Sequence, residues 1–165
     1  MPPPVVPLAV QSDEGKRLET PTGDTVTVKL DTAATNGTLS VHELLIAPQS
    51  GPALHTHLRE DELWYVLDGE FRFKADGKML HASTGGMAFG PRGMAHAFQN
   101  VGATPGRLLI VTAPSGLERF FEQFAALPPD EAGPTALAAV GHANWIEFTG
   151  PPLAISDPTG GAAAP

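Results

Sequence analysis

From Thr25 onward, apolar and polar residues alternate. In Thr25-Val-Thr-Val-Lys-Leu30, Val26, Val28 and Leu30 share one face, the two-residue period of a half-buried strand. Strands are likewise predicted at Leu39–Ala47, Glu62–Leu67, Glu70–Lys74, Lys78–Ala82, Met87–Phe89, His96–Asn100 and Arg107–Thr112. Asp68-Gly69 and Asp76-Gly77 each predict a two-residue hairpin, because Gly tolerates the positive φ such turns require. About eight short antiparallel strands at this spacing predict an all-β sandwich or small barrel. The period changes at Pro114. Leu117, Phe120, Phe121, Phe124 and Leu127 recur at helical spacing, with Glu118, Arg119, Glu122 and Gln123 opposite. Ser115 and Glu118 read as a capping box. This helix should lie across the sheet with its phenylalanines inward. A shorter helix is predicted from Pro134 to Val140, stopped by Gly141, with Trp145, Ile146 and Phe148 docking back on the barrel.

These elements divide the chain into an extended, initially proline-rich arm (1–24) and one domain (25–148). The domain consists of a barrel (25–114) and a helical part (115–148), followed by a mobile Pro, Gly and Ala tail (149–165). The 165 residues suit one domain, and 18 Gly with 17 Pro are incompatible with mostly long helices.

Charge narrows the partners. Ten Lys and Arg against eighteen Asp and Glu leave −8, with no basic run to follow a phosphate backbone, so nucleic acid is not expected. No apolar run is long enough to span a bilayer. The start, Met-Pro-Pro-Pro-Val-Val-Pro, lacks the basic region of a secretory signal, and a cytoplasmic location is the expectation. The absence of Cys excludes disulfides, thiolate metal sites and cysteine nucleophiles. Any metal must therefore use His, Asp or Glu.

His55-Thr-His57 is the first chemically informative pair, since residues two apart on a strand point to the same face. Glu62 follows across a polar bend, and His96 stands on a later strand. A His-x-His pair alone is a weak signal. The surrounding spacing is more specific: Gly51-x3-His55-x-His57-x4-Glu62-x6-Gly69, then Gly85-x5-Pro91-x-Gly93-x2-His96-x3-Asn100. These are the two motifs of the cupin superfamily, and over roughly residues 40–112 the chain resembles a single-domain cupin. The gap from the leading Gly to the first His is slightly shorter than usual, a difference in loop length. The resemblance implies a cupin double-stranded β-helix, a jelly-roll barrel with C-terminal helices packed on it. It also implies that His55, His57, Glu62 and His96 bind a divalent metal.

Three imidazoles and one carboxylate leave two positions open on a six-coordinate ion such as Fe, Mn, Ni or Co, whereas Zn fits less usefully. With a net charge of about +1, such a site attracts an anionic or chelating small molecule. Glu62 is either a plain fourth ligand or a base that leaves the metal to take a proton from substrate. Flavonol-cleaving dioxygenases, similar in being cupins with this Glu and a trailing Phe-rich helix, suggest the second role. The leading expectation is a dioxygenase of that type, using dioxygen on a small aromatic or enolisable substrate. A redox-neutral isomerase or lyase and a non-catalytic binding or sensor module are the alternatives. Trp64, Val66, Phe71, Phe73, Phe89 and Phe98 are expected to face inward. Asn100 should bond backbone near a strand end. Arg59 reads as a solvated rim charge, and His42, His81 and His142 read as structural or exposed. Open sheet edges favour a homodimer.

Overall fold

The computed structural model describes residues 4–158. Among the described residues, eleven strands form two antiparallel sheets. The strands are β1 (Lys16–Glu19), β2 (Thr25–Leu30), β3 (Ser40–Ile46), β4 (Ala53–His57), β5 (Asp61–Asp68), β6 (Glu70–Ala75), β7 (Lys78–Ser83), β8 (Met87–Gly90), β9 (His96–Asn100), β10 (Gly106–Ala113) and β11 (Ile146–Pro152). The helices are α1 (Thr32–Thr35), α2 (Leu117–Ala125), α3 (Pro134–Ala143) and α4 (Leu153–Ser156). One sheet runs β1-β2-β3-β10-β5-β8 and the other β11-β4-β9-β6-β7. Strands distant in sequence become neighbours, and the two sheets face each other as a jelly roll. No helix among the described residues is long and apolar enough to cross a membrane.

Strand parity builds the core. On β5 and β10 every second residue is buried, so Trp64 and Val66 meet Ile110 and Leu108 across the strand pair. Phe71, Phe73 and Phe98 enter from the opposite sheet. Burying each such side chain contributes about 1.5–3 kcal/mol. Phe89 points outward instead and is 55% exposed. Its neighbours Ala88 and Gly90 take the inner face opposite Trp64 and Glu62. Their smallness makes room for the indole, since a Cβ at Gly90 would lie 2.6 Å from Trp64 Cη2.

Other expectations are corrected by long-range packing. Asp76-Gly77 closes the β6–β7 hairpin, but Asp68-Gly69 carries the chain from one sheet to the other. A corner and a hairpin both require the positive φ seen at Gly69, so the dipeptide signal does not separate them. The boundary placed at residue 24 cuts the β1–β2 pair, in which Lys16 faces Val28 and Glu19 faces Thr25. The tail placed from 149 is ordered up to the last described residues. There β11 continues to Pro152, Leu153 is buried, and Arg72 on the outer face of β6 donates to the carbonyls of Leu153 (3.3 Å) and Asp157 (2.6 Å). Residues 159–165 of that tail lie outside the described residues.

The capping box does not form. Gly116 is the N-cap of α2, and Ser115 Oγ instead lies 2.8 Å from Thr32 Oγ1. Glu118 is buried and accepts from the Thr32 hydroxyl and from the amides of Thr32 and Gly116, tying α2 to α1. Gly141 does not end α3, which continues to Ala143. A Cβ there would lie 2.7 Å from the Phe148 ring, so the glycine serves close packing.

Candidate metal centre

β4 and β9 lie side by side with His55 opposite His96, and parity places His57 on the same inner face as His55. The start of the bend after His57 is pinned: Gly93 N–H donates to the His57 carbonyl (2.7 Å) and Leu58 N–H to the Trp145 carbonyl (2.8 Å). β5 then starts in the facing sheet and turns Glu62 inward. All four side chains converge, with one ligand atom of each lying within 4.8 Å of the others. Each of the four residues is at most 8% exposed. Glu62 Oε2 is 2.9 Å from His96 Nε2 and 3.1 Å from His57 Nε2. Adjacent ligands on an ion with bonds of about 2.1 Å are separated by about 3 Å, so the donor set fits a divalent ion.

The opposite ring nitrogens are held from behind. His55 Nδ1 faces the Ala53 carbonyl at 2.7 Å and His96 Nδ1 faces the Met94 carbonyl at 3.1 Å. Donation there fixes the tautomer that leaves Nε2 free as a ligand. Behind His57 stands a residue the sequence reading missed: Glu60, buried, with Oε2 3.6 Å from His57 Nδ1. No motif marks Glu60, because its role depends on the bend that folds it back. Arg59 is not a free solvated charge. Its Nε is 3.2 Å from Glu60 Oε1 and its Nη2 donates to the Ser115 carbonyl, linking the bend to the start of α2.

The charges are interdependent. Burial opposes the charge on His57, but Glu62 and Glu60 override it and hold the imidazole up at about 9. His55 is driven down to about 3 by burial and by the neighbouring His96 and His57. Burial works to raise Glu62, yet His57 and His96 hold its carboxyl well below the usual range. Without an ion, then, the cluster is a carboxylate paired with a protonated imidazole.

The walls are aromatic. The Phe148 ring lies 5.6 Å from His55, and Trp64 lies 4.9 Å edge-on from His96. Motif positions outside the ligand set have structural roles. Asn100 Nδ2 donates to the carbonyls of Ile46 (3.0 Å) and Thr104 (2.9 Å), as its position near a strand end suggested. Gly51 is required by close approach, since a Cβ there would lie 1.9 Å from the Phe98 carbonyl oxygen. His81 and His142 are exposed, whereas His42 is fully buried.

Known proteins agree with this architecture. An "Oxalate-binding protein" of Thermotoga maritima is 35% identical over 66 residues, which are 40% of this chain and 54% of that protein. The match thus spans about half the length of that curated relative. A Thermotoga maritima structure described as a predicted oxalate decarboxylase is 26% identical, with a TM-score of 0.58, over 65% of this chain and 99% of that one. KdgF from Halomonas sp. (16% identical, TM-score 0.59, 66% and 94% covered) shares the fold. So does a cupin-superfamily sugar phosphate isomerase from Silicibacter pomeroyi (19% identical, TM-score 0.57, 66% and 77% covered). The family profile for the cupin domain matches residues 42–112, and all four candidate ligands fall within that match.

Proposed function

We propose that this chain is a metal-dependent cupin that holds a compact anionic chelator on a divalent ion carried by His55, His57, Glu62 and His96. The convergence of three imidazoles and a carboxylate at one buried point supports this reading. The bound ion would supply a site of net charge about +1 with coordination positions to spare, attracting an anion despite the chain's −8. The Ala53 and Met94 carbonyls orient His55 and His96, and Glu60 sets a negative charge behind His57. Glu62, held ionised by His57 and His96, can also take a proton from an enolisable compound beside it.

The burial of the ligands and the close aromatic walls favour a compound of oxalate or keto-acid size over a flavonol-sized one. The Thermotoga relatives support the same ligand class. On an enolisable keto acid of that size the chain acts as a dioxygenase with dioxygen as co-substrate. A redox-neutral decarboxylase or lyase is the second reading, favoured by the similarity to the predicted oxalate decarboxylase. Exposed Leu45, Met87 and Phe89 on the outer face of the first sheet suit a homodimer.

The test is calorimetric titration of oxalate and small keto acids into protein loaded with Fe, Mn, Ni or Co, with dioxygen uptake and carbon dioxide release followed in parallel. Metal-dependent binding with dioxygen uptake is expected. Carbon dioxide release without uptake would select the second reading, and no binding with any metal would overturn both.

A further inference from the structure

His42 is a buried imidazole outside the ligand set. It is 0% exposed on β3, and neither ring nitrogen has a hydrogen-bond partner among the described residues. Its ring lies against Phe121 of α2, with centroids 5.3 Å apart at 60°. Burial outweighs the pull of the Glu118 and Glu62 carboxylates and lowers this imidazole to about 4, so at neutral pH it offers one N–H donor and one acceptor. Native interiors rarely leave such groups unmet, because burial without a partner is unfavourable.

Register places the ring. His42 stands opposite Ile110, and Ile110 opposite Trp64, which is two residues along β5 from Glu62. The imidazole therefore occupies the interior layer adjoining the Glu62 layer, two strands across. With strands about 4.8 Å apart and a rise of about 3.4 Å per residue, the Cα atoms of His42 and Glu62 are separated by about 12 Å. Both side chains project inward from the same sheet, and the Glu62 carboxylate is near enough to act electrostatically on the His42 ring. Trp64, in the same layer, also has a buried indole N–H without a partner. The other members of that layer, Val28, Ile110 and Ala88, are apolar. Two unmet polar groups in an apolar layer next to an anion-attracting cluster indicate a place for the far end of a ligand.

We propose that His42 is a specificity-determining residue that hydrogen-bonds the outward-facing polar group of a small organic acid whose other end is held at the His55, His57, Glu62 and His96 cluster. This rests on the proposed function and assigns the ligand a second polar group, as in a dicarboxylate or keto acid. A plain monocarboxylate offers nothing at that point.

The test is calorimetry of Ni-loaded wild type, His42→Phe and His42→Gln with oxalate, malonate and acetate, with metal content measured on each sample. Phe keeps the ring against Phe121 and removes both nitrogens, whereas Gln restores a donor and an acceptor. The expected result is unchanged metal content, about tenfold or greater loss of oxalate or malonate affinity in His42→Phe, little change for acetate, and partial recovery in His42→Gln. Equal dicarboxylate affinities in wild type and both variants, with metal retained, would overturn the role of His42 and leave the proposed function standing. Should His42→Phe fail to fold, His42→Gln decides alone: a lowered dicarboxylate-to-acetate affinity ratio supports the role, and an unchanged ratio overturns it. Metal-loaded wild type that binds none of the acids would overturn the proposed function and this inference with it.

Discussion

Metal uptake should release a proton from His57. Without an ion, Glu62 and Glu60 keep this imidazole protonated up to about 9, and its Nε2 lies 3.1 Å from Glu62. The same nitrogen must give up its proton to become a ligand, while His55, lowered to about 3, already offers a free lone pair at neutral pH. At pH 7 the His57 proton therefore weakens apparent metal affinity by about 100-fold relative to pH above 9, or about 2.7 kcal/mol at 1.36 kcal/mol per pH unit. Log affinity should rise by about one per pH unit between pH 6.5 and 8.5. Titrating Ni or Zn into metal-free protein, in two buffers of different ionisation enthalpy, counts the protons released. About one per ion from His57 is expected, and the His57→Asn variant should lose that proton together with much of its affinity. A pH-independent affinity with no proton release would refute the reasoning. Metal-free stability should follow the same groups. The His57 contribution is present below the unfolded value near 6.5 and is lost as pH rises through about 9. The His55 contribution is present above 6.5 and is lost as pH falls toward 3.

Three further outcomes follow from particular contacts. Above pH 9, where no proton competes for His57, Glu60→Gln should weaken metal binding by about 10–100-fold with the fold intact, because His57 loses the carboxylate behind Nδ1; unchanged affinity there would remove Glu60 from the site. Gly90→Ala places a methyl 2.6 Å from the Trp64 ring and should destabilise the domain by about 1–3 kcal/mol in urea unfolding, and a neutral result would mean the indole is free to shift. Arg72→Met removes the hydrogen bonds that the guanidinium gives to Gln99 Oε1 and to the Leu153 and Asp157 carbonyls. It should destabilise by about 1–3 kcal/mol and speed proteolysis after Pro152, and wild-type protection would refute the clamp.

The alternation of Val26, Val28, Trp64 and Val66 made most strands and their buried faces legible before folding, because a strand's inward set depends only on local parity. The spacing of His55, His57, Glu62 and His96 likewise disclosed the candidate ligands, since short spacings on strands translate into shared faces. Phe89 was misread as interior because its neighbours Ala88 and Gly90 are small, and only the presence of Trp64 opposite explains why small residues belong inside. Asp68-Gly69 was misread as a hairpin because local turn chemistry contains no information about which sheet the next strand joins.

By itself the sequence determined the all-β character, the candidate ligand set and the absence of thiol chemistry, properties carried by residue type and short-range spacing. Only the tertiary structure decided that Glu60 stands behind His57, that Arg72 clasps the C-terminal segment, that Glu118 is buried on Thr32, and that His42 faces the interior with neither ring nitrogen hydrogen-bonded among the described residues. Each of these depends on residues brought together from different elements or on how a bend folds back, and the burial and electrostatics that define their roles come into being only when those elements close on one another.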